Sequence, residues 1–451
     1  MFLPSNGRGA RLVLPAVAML AATALAASCS SDDDGPASSS ETTAAATEST
    51  ASAPGTTEVS SGTTEAVPGT TEPEQRSADT TSDMSDDDQA AVAAAISAGL
   101  ERATTGAPSV APPALYVGVW DPEKGTYLTA IGEAQPGQPA TIEDHYRIGS
   151  TTKTFTASVI IQLVDEGKLS LDDTIGVLLP DLAAVHPEIA DVTVESLLRM
   201  KSGIQDYLNV PDSVVADVVV DPSRVWEPQE LIDAALELGV EPQGTSGYST
   251  TNFIILQLIA ESVEGAPLPE LIRTRLLDPL GMGETSLPIE DPSLPEPYAS
   301  ANLNDTCVGE LLGDGASDVD TDTDPTSWSI SYAQGGGGMT STLADLGLWA
   351  DSNSGNTLLG PDLETARLVA DSPIGGPLLY GLGIIQIGDN WYGHAGEAIG
   401  WQTLVLHDPD TGVSVAFASN ICNEEDLVYW SILDELYPNA TLDGFLSEQG
   451  F

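Results

Sequence analysis

The pattern of hydrophobic and polar positions divides the chain into a polar stretch and a long folded part. Residues 30–87 are almost all Ser, Thr, Ala, Glu, Asp, Pro and Gly, and Gly-Thr-Thr-Glu recurs at 55–58, 62–65 and 69–72. Such a segment cannot bury enough apolar surface to offset the entropy of ordering its backbone. We therefore predict a disordered acidic linker over residues 30–87, followed by one folded domain over residues 88–445.

Helical and strand-like periodicities occupy different regions of the folded part. Apolar residues at helical spacing predict a helix at Gln89–Ala103, another that starts at Thr154, and a mostly helical subdomain over residues 175–315. Alternating or continuous apolar runs near both ends predict strands, at Ala114–Trp120, Tyr127–Ile131, Leu382–Ile387, Gln402–His407 and Val413–Ser419. We therefore expect an α/β (α+β) sandwich. Its single antiparallel sheet is built from both chain ends, helices flank the sheet, and the helical subdomain is inserted between the two ends.

The first 29 residues are typical of an export signal. Two arginines precede an apolar run over residues 12–27, which ends in small residues and is short for a transmembrane span. Ala26-Ala27-Ser28-Cys29 resembles the lipidation motif of bacterial lipoproteins, although Ala26 stands where Leu is usual. We predict a signal peptide over residues 1–29 and a lipid on Cys29 that holds the protein to the outer face of the cell membrane. Plain secretion is the alternative.

The net charge restricts the partners of the protein. Lys and Arg number 14 against 68 Asp and Glu, so the formal net charge is -54. This charge excludes nucleic-acid binding, which requires basic patches, and it makes an anionic membrane surface a poor partner for the folded part. We expect a soluble monomer that contacts a membrane only through its N-terminal lipid.

Two further cysteines, Cys307 and Cys422, complete the total of 3. In an exported protein an even pair suggests a disulfide bond. Two buried free thiols are the alternative, because sequence alone cannot test the required geometry.

The candidate chemistry begins at Ser150-Thr151-Thr152-Lys153. Residues three apart lie on one face of a helix, so this spacing places the amine of Lys153 beside the hydroxyl of Ser150. A serine hydroxyl needs a base within hydrogen-bond reach before it can attack an acyl carbon. The spacing alone is common by chance, and it becomes informative through the motifs that follow it.

Four further motifs follow in order. They are Leu-Leu-Arg-Met-Lys-Ser-Gly-Ile (197–204), Gly-Tyr-Ser-Thr-Thr-Asn-Phe (247–253), Gly-Gly-Gly-Met-Thr-Ser-Thr (336–342) and Tyr-Gly-His-Ala-Gly (392–396). With these five motifs, residues 105–440 resemble the serine β-lactamase-related family, which includes class C β-lactamases, D-alanyl-D-alanine carboxypeptidases and certain esterases. The resemblance implies a serine hydrolase that acts through an acyl-enzyme on an ester, peptide or amide bond, with no cofactor and no metal.

The resemblance also implies roles for individual residues. Ser150 would attack the acyl carbonyl, Lys153 would support its deprotonation, and Tyr248 would take and return the proton, with a pKa lowered by the lysine charge. The backbone N–H groups of Ser150 and Glu397 would form the oxyanion hole. His394 stands where many relatives have a lysine, and a buried structural histidine is its alternative. Whether Lys153 or Tyr248 is the general base stays open, since coupled groups titrate as a pair.

Some positions of the expected substrate site depart from the family pattern. Thr250 stands where an Asn usually holds the substrate amide, and Asn252 should point elsewhere. Ala395 and Glu397, on either side of Gly396, replace hydroxyl residues that help to bind a substrate carboxylate. We therefore expect an esterase-like or atypical peptidase activity on a small acyl, peptide or cell-wall substrate, rather than efficient β-lactam hydrolysis. The alternative is a catalytically weak protein that binds cell-wall peptide or a partner.

Overall fold

The structure is a computed structural model that describes residues 78–105, 111–209, 214–303, 323–354, 358–376, 378–421 and 427–438. The predicted signal peptide and all three cysteines lie outside these ranges. The strands are β1 Ala78–Ser82, β2 Ala114–Asp121, β3 Gly125–Gln135, β4 Gln138–Pro139, β5 Tyr146–Arg147, β6 Thr340–Ser341, β7 Ser372–Gly375, β8 Leu378–Tyr380, β9 Ile385–Ile387, β10 Trp391–Ala398, β11 Trp401–Asp408 and β12 Val413–Ser419.

Helices fill most of the remaining described chain. The α-helices are α1 Asp86–Thr104, α2 Thr152–Asp165, α3 Ile175–Leu178, α4 Pro180–Val185, α5 Val194–Leu198, α6 Val214–Val220, α7 Pro228–Glu237, α8 Thr251–Glu264, α9 Leu268–Ile272, α10 Asp278–Leu280, α11 Gln334–Gly337, α12 Leu343–Ser354, α13 Pro361–Leu368 and α14 Leu427–Leu436. Short 3₁₀ turns occur at Gly149–Thr151, Pro187–Ile189 and Tyr207–Asn209, and a π-helical turn at Arg273–Leu277. No helix among the described residues is both long and apolar enough to cross a membrane.

One large antiparallel sheet organises the molecule. Its strand order is β1-β3-β2-β12-β11-β10-β9-β8-β7, with β4 beside β3, while β5 and β6 form a separate pair. The N-terminal strands join the C-terminal strands where β2 pairs with β12, from Ser414 opposite Trp120 to Ser419 opposite Leu115. The sheet is therefore built from both chain ends, which confirms the predicted fold class.

Helices pack on the sheet and on each other at close distances. Helices α1 and α14 are in contact over much of their length. A Cβ built on Gly99 of α1 would lie 2.6 Å from the backbone of Ile432, so only a residue without a side chain permits this approach. Helix α12 covers β2, β11 and β12. These contacts provide the flanking helical layer that the sequence predicts.

Helix α2 connects the sheet to the inserted helices. Its residues Phe155, Val159, Ile160 and Leu163 have no exposed surface, and it packs against α8. The 3₁₀ turn that precedes α2 lies against β10. The turn that carries Ser150 is therefore held between the sheet and the helical part of the molecule.

The folded part begins before residue 88, so the predicted linker boundary is wrong. Strand β1 (Ala78–Ser82) pairs along its whole length with β3, from Ala78 opposite Ile131 to Ser82 opposite Tyr127. Its polar, mostly exposed side chains give no hydrophobic signal, but an edge strand needs only backbone hydrogen bonds and one partner strand. Ser85 then caps α1, which starts three residues before the predicted helix.

Two other predicted bounds also differ from the structure. The α-helical hydrogen bonding of α2 begins at Thr152, two residues earlier than predicted, because the Gly149–Thr151 turn leads directly into it. Strand β9 starts only at Ile385. Gly383 precedes it with φ +69° and donates its N–H to Leu198 O, so the backbone turns there instead of extending.

Candidate active site

The Ser150 hydroxyl and the Lys153 amine lie at hydrogen-bond distance. Nζ of Lys153 is 3.0 Å from Oγ of Ser150 and donates a second hydrogen bond of 2.7 Å to the carbonyl of Gly336. The short turn followed by α2 brings these two side chains to the same side, as the three-residue spacing predicts. An amine in this position can receive the proton of the hydroxyl.

Burial gives the Lys153 amine the properties of a base near neutral pH. The side chain has no exposed surface. Burial therefore lowers the pKa of Lys153 to about 7, and the charge of Asp206 opposes that shift without cancelling it. A neutral amine, which can accept a proton, is consequently well populated at pH 7.

Tyr248 lies between Lys153 and His394. Its ring centroid is 5.0 Å from Nζ of Lys153 and 6.2 Å from the imidazole of His394, and its hydroxyl lies near the side chain of Ser150. Burial raises the pKa of Tyr248 above its ordinary value, and the nearby Asp206 charge raises it further. The expectation of a lowered tyrosine pKa is wrong, because burial of the phenol disfavours its charged form more than its surroundings favour it. Tyr248 is therefore a neutral phenol at pH 7, able to donate a proton.

His394 is fully buried on β10 and is held by both ring nitrogens. Nδ1 lies against the carbonyl oxygen of Ala395, and Nε2 is 3.0 Å from the hydroxyl of Tyr380. Since a carbonyl only accepts, Nδ1 carries the proton and Nε2 accepts from the Tyr380 hydroxyl. Burial and the Lys153 charge lower the pKa of His394 to about 3, so the ring is neutral. Its position beside Tyr248 fits a contribution to the site, but as a neutral ring rather than as a substitute for a charged lysine.

The strand backbone at Glu397 touches the turn that carries Ser150. Pairing of β9 with β10 ends at Gly393, which leaves the following part of that edge to contact the turn. Gly149 has φ +50°, and a Cβ built on it would lie 2.4 Å from the amide nitrogen of Glu397. A Cβ on Gly396 would lie 1.9 Å from the carbonyl oxygen of Ile148. Two glycines thus allow the turn and the strand to meet, which brings together the two segments expected to supply the oxyanion hole.

Asp206 is a buried carboxylate that the sequence reasoning missed. Its Oδ2 accepts from the Thr250 N–H at 2.8 Å and its Oδ1 from the Leu208 N–H at 3.1 Å. Burial raises its pKa, and the nearby Lys153 amine opposes that rise. Asp206 lies two positions after the second motif, between the apolar residues Ile204 and Tyr207. An acidic residue in such an apolar segment is the sequence signal by which it could have been found.

The positions of Thr250 and Asn252 agree with what their departure from the family pattern led us to expect. Asn252 accepts from Ser202 Oγ at 2.7 Å and donates to Leu197 O at 3.2 Å, so its amide points away from the reacting serine. Thr250 lies against Gly336, where an added Cβ would be 2.6 Å from Thr250 Cγ2. Its buried hydroxyl lies near Asp206 but does not meet the geometry of a hydrogen bond. Thr250 therefore cannot present the amide group that an Asn would offer at this position.

Ala395 and Glu397 differ in how far they are buried. Ala395 is 6% exposed, whereas Glu397 keeps part of its surface open. Burial of its carboxylate raises the pKa of Glu397 to about 7. No ion pair or hydrogen bond joins this carboxylate to another described residue. Within the described ranges, no group of three His, Cys, Asp or Glu residues could hold a metal ion.

A half-buried serine hydrogen-bonded to a buried lysine and beside a tyrosine, at the junction of an antiparallel sheet and inserted helices, defines the class of serine acyl-transfer proteins. The sequence model of the family described as Beta-lactamase matches residues 92–435. The chain therefore belongs to the beta-lactamase family.

Relatives of known structure or curated sequence lie in the same group. The chain is 30% identical over 179 residues to penicillin-binding protein 4 of Amycolatopsis lactamdurans, covering 39% of this chain and 43% of that protein. It is 27% identical over 289 residues to a D-aminopeptidase of Brucella anthropi, covering 61% of this chain and 49% of that protein. The matches thus span less than half the length of these two relatives.

Solved structures cover more of the fold. A D-stereospecific amidohydrolase from Streptomyces sp. aligns with a TM-score of 0.64 and 25% identity, over 76% of this chain and 97% of that chain. The D-amino acid amidase from Ochrobactrum anthropi SV3 aligns with a TM-score of 0.66 and 24% identity, over 78% of this chain and 100% of that chain. The latter likeness concerns the fold alone.

Proposed function

We propose that this protein is a serine hydrolase that cleaves amide or peptide bonds of small D-amino acid derivatives through an acyl-enzyme on Ser150. The observation that carries this proposal is the 3.0 Å distance between Lys153 Nζ and Ser150 Oγ, with Lys153 buried and its pKa lowered to about 7. A structural serine at the start of a helix would not require a buried amine beside it. The relatives described as a D-aminopeptidase and a D-stereospecific amidohydrolase support the amide substrate.

The proposed reaction moves one proton around the site. The neutral Lys153 amine takes the proton of Ser150 as the hydroxyl attacks the carbonyl carbon, and the backbone N–H groups of Ser150 and Glu397 bind the resulting oxyanion. The neutral phenol of Tyr248 then donates a proton to the leaving amine and regains one from Lys153. Water then attacks the acyl carbon, and the proton moves in the reverse direction. Tyr248 takes a proton from the water and passes its own to Lys153, and Lys153 returns one to Ser150 as the acid leaves.

The test measures amide turnover and the covalent intermediate together. The full chain, carrying Cys29→Ser so that it is not lipidated, is compared with its Ser150→Ala variant on a D-amino acid p-nitroanilide. We expect turnover only with Ser150 present, and mass spectrometry of the quenched reaction should find the acyl group on the peptide that contains it. Ser97→Ala, on the exposed side of α1, is the matched control and should leave the rate unchanged.

Two results would contradict the proposal. Equal background rates in the wild-type and Ser150→Ala proteins across amide, peptide and ester substrates would favour the alternative of a cell-wall-peptide or partner-binding protein. Turnover that depends on Ser150 but occurs only with esters would correct the bond type while retaining the nucleophile.

We also propose that the chain is exported, acts as a monomer and is anchored through a lipid on Cys29. Support comes from the charged start, the apolar run over residues 12–27 and the small residues before Cys29. Labelling of cells with a palmitate analogue should mark the wild-type chain and not a Cys29→Ala variant, and the lipid-free protein should elute as a monomer. Equal labelling of both proteins would refute the anchor.

A further inference from the structure

Glu397, whose backbone N–H is proposed for the oxyanion hole, has a carboxylate without a partner among the described residues. A Cβ on the neighbouring Gly396 would point at Ile148 O, Thr403 Oγ1 and Thr151 Oγ1, which lie in the interior. Successive side chains of a strand point to opposite faces, so the Glu397 side chain leaves β10 on the other face. The residue as a whole keeps part of its surface open.

The Glu397 carboxylate also acts on Tyr332, on a different segment of the chain. Burial raises the pKa of Tyr332 to about 12, and the nearby Glu397 charge adds to this rise. Tyr332 lies four residues before Gly336, the carbonyl that accepts from Lys153. Glu397 therefore acts on the segment that leads to Gly336, and its own strand, β10, contacts the turn that carries Ser150.

The two buried cations near this region do not pair with Glu397. Lys153 binds Ser150 and Gly336 and has no exposed surface. Arg147 is buried, with its guanidinium carbon 5.8 Å from the ring centroid of Trp401, and it forms no ion pair with Glu397. The other carboxylate of the site, Asp206, differs because backbone N–H groups satisfy both of its oxygens.

An ionised carboxylate in a partly buried position is costly unless a cation or hydrogen-bond donor meets it. At the same position it repels an anionic substrate. We propose that Glu397 binds a free ammonium group of the substrate, so that the protein selects amides that carry a primary amine close to the scissile carbonyl. This inference rests on the proposed amide hydrolysis and adds the charge of its substrate class.

The experiment compares three forms of one substrate. A D-amino acid p-nitroanilide is used with a free amino group, with the amine acetylated, and with the amine succinylated, which supply a cation, a neutral group and an anion. The pH is kept where the free amine is still protonated and the Glu397 carboxylate, whose pKa is about 7, is ionised. The wild-type protein should prefer the cation to the neutral form, and the neutral form to the anion, in kcat/KM.

Glu397→Gln keeps the size of the side chain and removes its charge. We expect kcat/KM for the cationic substrate to fall roughly tenfold or more, as for loss of a hydrogen bond to a charged group, while the neutral substrate changes less than about twofold. Glu237→Gln, an exposed acid at the end of α7, is the matched control and should leave all three values unchanged. A cation-to-neutral ratio that is the same in the wild-type and Glu397→Gln proteins would overturn the inference, as would a wild-type preference for the neutral or anionic form.

A binding measurement separates this inference from the proposed function. Absence of Ser150-dependent turnover for every substrate would refute the hydrolase and leave ammonium binding to be measured directly. Calorimetry of a D-amino acid amide with the Ser150→Ala protein should then give a Kd that rises roughly tenfold when Glu397→Gln is added. Equal affinity in the two proteins would refute the ammonium site whatever the fate of the hydrolase.

Discussion

Replacement of Asp206 by Asn should move the acidic limb of the pH–rate profile to lower pH. The carboxylate of Asp206 stabilises the charged form of Lys153 and so opposes the effect of burial on its pKa. Without that negative charge, the Lys153 amine loses its proton more readily. Its pKa should fall below the wild-type value of about 7.

The size of this effect follows from the titration of one group. If only neutral Lys153 is active, wild-type kcat/KM falls tenfold for each pH unit well below 7, and about one tenth of the plateau remains at pH 6. A nearby opposite charge shifts a pKa by about 1 unit or more. A shift of about 1 unit would leave the variant at about half of its own plateau at pH 6, which is about fivefold above the wild-type fraction.

The assay measures kcat/KM from pH 5 to 9 with the acetylated substrate, which carries no charge. This choice matters because Glu397 titrates in the same range, with a pKa raised to about 7, and would alter the binding of a charged substrate. Each curve is scaled to its own plateau, since the amide introduced by Asp206→Asn can accept from only one of the two N–H groups that the carboxylate binds. That loss should lower the stability by about 1–3 kcal/mol.

Asp172→Asn, at an exposed position, serves as the control and should leave the limb in place. A limb that stays at the wild-type pH in Asp206→Asn, or that moves upward, would refute the assignment of the limb to Lys153. Such a result would favour another group as the base of the reaction.

Three further substitutions test other parts of the site. Tyr248→Phe should lower kcat/KM, which reports acylation alone, by about 10²-fold or more on the p-nitroanilide but much less on a p-nitrophenyl ester, because that leaving group needs no proton; equal losses in kcat/KM would exclude Tyr248 as the proton donor to the leaving group. Gly149→Ala should lower kcat by about 10²-fold or more, since its Cβ would lie 2.4 Å from the amide nitrogen of Glu397. Gly137 also has a positive φ but nothing within 4 Å of an added Cβ, so Gly137→Ala should retain activity. Similar losses in both variants would mean that backbone strain alone is responsible. Lys153→Met should raise the melting temperature most below pH 7 and progressively less toward pH 10.5, because a lysine pKa lowered in the folded state costs stability below the unfolded pKa; a gain independent of pH would contradict the lowered pKa.

Local sequence patterns predicted the strands and helices that bury many apolar residues. They failed for elements that form without burying apolar side chains. The predicted strand Val413–Ser419 has the observed bounds, since a continuous apolar run flanked by turn residues admits few alternatives. Strand β1 falls within the predicted linker because Ala-Asp-Thr-Thr-Ser buries almost no apolar surface. Its stability depends on the backbone of β3, which lies about fifty residues away in sequence.

The candidate site divides in the same way. The spacing of Ser150 and Lys153 determined their proximity, because helical geometry operates over three residues. The raised pKa of Tyr248 and the presence of Asp206 did not follow from any local pattern. Both depend on which distant segments surround these groups and exclude water.

By itself, the sequence determined the strands with a strong apolar pattern, the principal helices, the five motifs and the acidic character of the chain, since these depend on composition and on spacing over short distances. Only the tertiary structure decided the protonation of Lys153, Tyr248 and His394, and only it left the Glu397 carboxylate without a partner in the part of the chain that the structure describes. The physical reason is that burial and the distances between charges are set when β10, the Ser150 turn, α8 and the glycine-rich loop come together from four separate parts of the chain.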